Sequence, residues 1–452
     1  MRLESRKART SAILRVMSQS RMSFFRSIVC LFCAVLGFIG TARSQSYEDE
    51  PINYLKARVD DPVARLQKKI DRGECTPSRD DRTGYLKWVL DALDIPVSSQ
   101  TLVFSKTSFQ LAKISPRTPR ALYFNDSTYI GYVKGGDVIE LSTVDPCQGA
   151  VFYLLSQDPH EKPVFERKTH ECLQCHASTK TLDVPGHFVR SIYPSRSGLP
   201  VFNAGSFTTS HASPINERWG GWYVSGTHGR MRHLGNVFVT NKENPEKLDV
   251  DAGANVVDLC KRFQTSGYLS SHSDIVALIT LEHQTQMHNY ITQANYETRR
   301  ALAYQEGLNK AFGDPAGTIG ESTRRRIESS GEKLVRYMLF VDEAKWTDPI
   351  VGTSTFSVDF AARGKKDPKG RSLRDFDLKT RLFRYPCSYE IDSEAFDALP
   401  SICRDHVLKR LYEILSGKDQ SREFERIDQE TRRAILEILR ATKSALPTYW
   451  KE

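Results

Sequence analysis

Cys172 and Cys175 stand three residues apart, and His176 directly follows the second, giving C-x-x-C-H within HECLQCH (170–176). This is the attachment signature of c-type haem. Two thiols at this spacing add across the two vinyl groups on one edge of a porphyrin. The adjoining histidine then reaches under the ring and gives iron its proximal nitrogen. At this chain's composition the pattern arises by chance roughly 0.004 times. Two other chemistries use paired cysteines. A zinc site needs a second Cys/His pair at finger or ribbon spacing, and none follows. A redox dithiol needs a βαβ setting, whereas this motif lies between Pro- and Gly-containing segments. Haem c, attached at Cys172 and Cys175 with His176 on the iron, is the expected cofactor.

His176 fills one axial position. A strong sixth ligand makes an electron carrier, and a weak or absent one leaves room for a small molecule. The stretch 219–233 concentrates candidates: Trp219, Trp222, His228, Arg230, Met231, Arg232 and His233, interleaved with glycines. His228 leads as sixth ligand, since Gly226 and Gly229 let its loop fold tightly, with Met231 and His233 behind it. Arg230 and Arg232 suit haem propionates. A blander account makes the Trp pair core and leaves the histidines solvated. The second candidate segment is EHQTQMH (282–288), where His283 and Met287 share a helical face with Leu278, Ile279, Tyr290 and Ile291. His288 sits about 140° round from His283, so the two cannot easily share one iron. One buried and one solvated histidine is the plainer expectation there. His170, His187 and His211 carry weaker claims, in loop-like or turn-rich stretches.

The charge of the chain has a definite place. It has 452 residues and a net charge of +9, with mean hydropathy −0.45. Residues 1–44 hold eight of the basic side chains and one acid, leaving 56 basic and 54 acidic side chains beyond them. A nucleic-acid surface is therefore not expected. The basic front end runs into twelve uncharged, mostly apolar residues, Ile28–Ile39, and then into small residues at Ala42 and Ser44. That order spells a secretory signal over 1–44. The run is too short for a span, which needs about 20 residues. Membrane association is not expected once the signal is removed, and the mature protein is placed in the periplasm or otherwise outside. Export leaves seven cysteines, an odd number with no framework spacing.

The elements that must position the motif follow from periodicity. Over 45–98 the chain reads helical, with Asp61-Pro62 opening one helix that Gly73 closes and a second over 84–93. Over 99–245 the period turns to two: ALYF, TYIGYV, DVIELS and AVFYLL, with a hairpin signal at Lys134–Asp137. Beyond the motif FVRSIY, LPVFN, GWYVS and GNVFVT also read as strands. Over 246–452 it is mainly helical. Ser273-Asp274 caps a run to Phe312 that Gly313-Asp314-Pro315 ends. Further helices cover about 323–340, 393–415 and 429–442, and 361–377 reads as a charged linker. The fold class is α+β, a β-rich haem-bearing half followed by a mainly helical half.

The motif resembles the c-type cytochromes. More widely, RALYFND (120–126), HECLQCHAS (170–178), RWGGWYVSGTHG (218–229), SDIVALITLEHQTQMHN (273–289) and RDFDLKTRLFRYPCSY (374–389) resemble a group of large exported cytochrome c-domain proteins. That resemblance implies haem binding and electron transfer with a redox partner, a protein or a small molecule. The alternative is a haem enzyme, a peroxidase or small-molecule oxidase with a distal pocket near His228. Only one C-x-x-C-H is present, since Cys30 and Cys33 lie in the signal and precede Ala34, so the two-haem peroxidase design is absent. A sensor is a third option, but no output domain is visible. Electron transfer needs the fewest further parts.

N-terminal sequencing of the exported protein should begin near Gln45, or at Arg43 if Ala42 precedes the cut. Cytoplasmic protein that keeps Met1 or Met22 contradicts the signal reading.

Overall fold

Asp61 and Pro62 start the first helix as their types require. The Asp61 carboxylate accepts from the amides of Val63 and Ala64, both at 2.9 Å, and Pro62 takes the first position, where no amide is needed. In the computed structural model, which describes residues 47–451, this helix is α1 (Pro62–Asp71), followed by α2 (Leu86–Ala92). The signal segment lies outside the described residues. From Glu50 onward the described chain is one compact unit.

A meander follows: β1 (Thr101–Val103), β2 (Arg120–Phe124), β3 (Thr128–Val133), β4 (Val138–Asp145), β5 (Gly149–Ser156) and β6 (Phe165–Lys168). Each strand pairs antiparallel with the next, and Lys134–Asp137 makes the β3–β4 turn. The C-x-x-C-H motif forms a single turn, α3 (Leu173–His176), immediately after the β6 edge. Then come the hairpin β7 (Val189–Ile192) and β8 (Ser206–Thr209), and the short strands β9 (Trp222–Tyr223) and β10 (Gly226–Thr227). β9 closes the far edge of the main sheet against β1, so seven strands run in the order β6-β5-β4-β3-β2-β1-β9.

The helical half is built on α4 (Ile275–Phe312), 38 residues long and so about 57 Å. Asp274 caps it, and Gly313 ends it at φ 76°. Around it lie α5 (Glu321–Met338), β11 (Val351–Gly352, paired with β10), α6 (Phe356–Ala362), α7 (Glu394–Asp397), α8 (Ser401–Leu415) and α9 (Gln429–Thr442). The chain is thus α+β, with its strands first and its long helices last. Alternation along the strands divides the core. Tyr123, Ile130, Leu141, Val151 and Tyr153 face α1 and α2, while Phe124, Tyr129 and Val144 face the cluster built on α4.

Two sequence expectations change. LPVFN and GNVFVT are not strands. Residues 228–273 hold their path by side-chain bonds to backbone, as where Asn236 bonds both the N–H (2.9 Å) and C=O (2.8 Å) of Val224. The charged stretch 361–377 is no free linker: Asp367, Ser372 and Leu373 are buried, and Arg374 pairs with Asp126. All seven described cysteines are free, including the buried Cys387 and Cys403.

Asp274 does more than cap. Its Oδ1 accepts from Val276 and Ala277, and its Oδ2 from the amides of Thr353 and Ser354 at 2.8 and 2.7 Å. Asp274→Ala orphans five donors, counting the Ser354 hydroxyl, all of them on buried or half-buried residues, so urea unfolding should show a loss of at least about 2 kcal/mol. Lys310→Ala, on the exposed end of α4, should change stability by less than about 0.5 kcal/mol.

Candidate haem-attachment site

The α3 turn sets both thiols on one side of the chain. The Cys172 carbonyl accepts from the amides of Cys175 (3.2 Å) and His176 (3.0 Å), which winds the motif into a helical turn. Cys175 is exposed and Cys172 half-buried. Burial, with Glu140 and Glu171 nearby, pushes the Cys172 thiol up to about 11. A thiol this protonated resists stray oxidation, because the thiolate is the reactive form.

His176 is held from one side only. Its Nδ1 donates to the Gly186 carbonyl at 2.9 Å, and its ring lies between Phe152 (4.9 Å) and Phe188 (5.0 Å). No hydrogen bond among the described residues engages Nε2. An imidazole whose Nδ1–H is spent on a carbonyl has its lone pair fixed on Nε2, the arrangement metal-ligating histidines adopt. Burial lowers its pKa to about 4, so the ring is neutral at pH 7 and able to ligate.

A returning loop supplies that carbonyl. After His176 the chain turns through Leu182 and Asp183, both left-handed at φ 59° and 60°. Such residues cost about 1–2 kcal/mol each and persist only where the surroundings enforce them. Thr181 Oγ1 donates to Val184 O at 2.8 Å, the Gly186 amide donates back to His176 O at 2.8 Å, and the Ala150 amide on β5 donates to Pro185 O at 3.0 Å. The clamp is Asn289 on α4. Its Oδ1 accepts from the His187 amide at 2.9 Å, and its Nδ2 donates to the His187 carbonyl at 2.7 Å. A Cβ at Gly186 would fall 2.2 Å from that Oδ1, so only glycine fits. Asn289, Gly186 and Thr181 escaped the sequence reading. Asn289 closes the largely polar run EHQTQMHN (282–289), in which nothing names its partner.

The remaining candidates are engaged elsewhere. His228 is buried, and both of its nitrogens are committed: Nδ1 donates to Met231 O at 2.7 Å, and Nε2 accepts from the Asn255 amide at 3.0 Å. Gly229, at φ 59°, makes this tight loop possible. A ligand role for His228 through Nε2 requires the bond from the Asn255 amide to break. Met231 packs in the core beside Trp219 and Trp222. His233 rests 4.7 Å from the His228 ring and accepts from the Gly235 amide. Arg230 lies 3.7 Å from Asp348, and Arg232 lies 2.6 Å from Asp251. His283 shares a bond with His211 at 2.8 Å and another with Ser388 at 2.8 Å. The rings beside His176 are those of Phe152 and Phe188; neither His228 nor His283 joins them.

His288 departs from expectation. It is buried rather than solvated, accepting from the Tyr129 hydroxyl at 3.0 Å and facing Glu390 at 3.2 Å. The angle read from the helix holds: His283 and His288 meet different partners. His187 and His211, assigned to turns, are buried too, and burial holds both imidazoles well below the usual histidine range. His170 is exposed.

Among the described residues no group of three or more His, Cys, Asp or Glu side chains could hold a metal ion. No described helix is long and apolar enough to cross a membrane. No protein-family model, curated protein or solved structure matches the chain.

In the haem-free variant Cys172→Ala/Cys175→Ala, NMR titration should find the His176 imidazole neutral down to about pH 4. The unfolded chain takes that proton near 6.5, so this group's contribution to stability is full above 6.5 and is lost as the pH falls toward 4. Adding Asn289→Ala should loosen the loop, move the value up toward 6.5 and cost about 1–3 kcal/mol. An unchanged titration would show that Asn289 does not position His176.

Proposed function

We propose that the chain is an exported c-type haem protein that binds one covalent haem and transfers electrons to a redox partner, a protein or a small molecule. The observation that carries this reading is the C-x-x-C-H turn with His176 anchored through Nδ1 and its Nε2 left without a partner. When bound, the haem supplies a one-electron centre. Cys172 and Cys175 are free thiols that would take up its two vinyl groups. Gly186 fixes the tautomer and the direction of the histidine, and Asn289 fixes Gly186. Phe152 and Phe188 flank the imidazole, and its burial keeps it neutral. The committed nitrogens of His228 weigh against the distal-pocket enzyme built on that residue.

Intact-mass analysis of the protein exported from cells with haem-attachment machinery should show one added haem that survives denaturation. Cys172→Ala/Cys175→Ala should remove it, and His176→Ala should weaken attachment or leave a product with altered axial ligation. A full-length mature chain without the added mass rejects the proposal.

A further inference from the structure

A separate cleft of about 1010 Å³ lies between the segment at Pro116, the loop around Arg196 and residues 236–262. That is at the upper end of the range for small-molecule sites, about 300–1,000 Å³. Its lining holds four cationic side chains, Arg117, Arg196, Lys261 and Arg262, against two acids, Asp249 and Asp258. Both acids already accept a local amide, from Ala252 at 3.1 Å and Cys260 at 2.9 Å. Among the described residues, Arg117, Arg196 and Lys261 are exposed and make no ion pair or side-chain hydrogen bond. A local excess of positive charge, in a chain nearly neutral beyond residue 44, selects an anion.

The walls say what kind. Val237, Phe238 and Val257 line the cleft, and Val257 is 55% exposed. An inorganic anion would leave this apolar surface wet, whereas an anion with an apolar body covers it. The walls are also fixed in advance. Tyr223 donates to Pro116 O at 2.7 Å while its ring stacks on Phe263, and Arg262 is pinned by the carbonyls of Asn236 (2.8 Å) and Ala252 (2.6 Å). Asn236 and Asn255, both lining residues, hold left-handed backbone at φ 67° and 52°. Pre-set walls spare a ligand the cost of ordering them.

We infer that this cleft binds an organic carboxylate with an apolar body, its carboxylate met by Arg117, Arg196 and Lys261 and its body by Phe238 and Val257. The site is independent of the haem reading and stands or falls without it.

Calorimetric titration of the mature protein with 2-naphthoate tests it, with the uncharged 2-naphthalenemethanol and inorganic phosphate as comparisons. Naphthoate should bind saturably, and each comparison at least tenfold more weakly. The variant Arg117→Gln/Arg196→Gln/Lys261→Gln, which changes only exposed side chains, should keep its unfolding midpoint and lose that tenfold preference. Lys310→Gln should change nothing. Three results overturn the inference: no saturable naphthoate binding, an alcohol or phosphate that binds as tightly, or a triple variant that binds as the parent does.

Discussion

Helix α4 buries Glu282, His283, Gln284, His288 and Asn289 within about two turns, and each of these polar side chains needs a partner inside the protein. A buried donor or acceptor left alone costs about 1–3 kcal/mol, and a broken buried ion pair about 3–5 kcal/mol. This demand organises the molecule. Glu282 takes Arg218 at 2.8 Å, His283 takes His211 and Ser388, and Gln284 bonds Tyr129 at 2.8 Å and Tyr389 at 2.7 Å. His288 reaches Tyr129 and Glu390, and Asn289 reaches His187. Sheet, motif loop and C-terminal segments are thereby referred to one helix.

The C-x-x-C-H motif gains its geometry from that arrangement. One turn of helix cannot hold an imidazole still by itself; its orientation comes from Gly186, which in turn is fixed by a helix about a hundred residues further along the chain. The strain at Leu182 and Asp183 is sustained by the same contacts. His187 adds a second tie, bonding Ser142 on β4 and lying 4.5 Å from the Tyr129 ring. The long helix and the sheet together form the bed on which a short motif is held.

Elements with local determinants were legible in the sequence. The antiparallel meander showed in its period of two, α1 in Asp61-Pro62 and α4 in its Asp274 cap and Gly313 stop. The motif showed in five residues. What stayed hidden depends on distant partners. β9 pairs with β1 across more than a hundred residues, and no local pattern separates it from GNVFVT, which forms no strand. His228 looked like a ligand because its chemical type was visible, whereas the two backbone groups that claim its nitrogens were not. His288 looked solvated because the stripe of α4 was drawn from apolar residues, and a helix buried on nearly every side has no solvated stripe.

The most direct test of a covalent, histidine-ligated haem is the visible spectrum of the exported protein in its oxidised and reduced states, repeated after acid–acetone extraction. The account predicts a c-type spectrum that shifts on one-electron reduction and stays with the polypeptide after extraction. A colourless protein, or colour that leaves with the solvent, contradicts it.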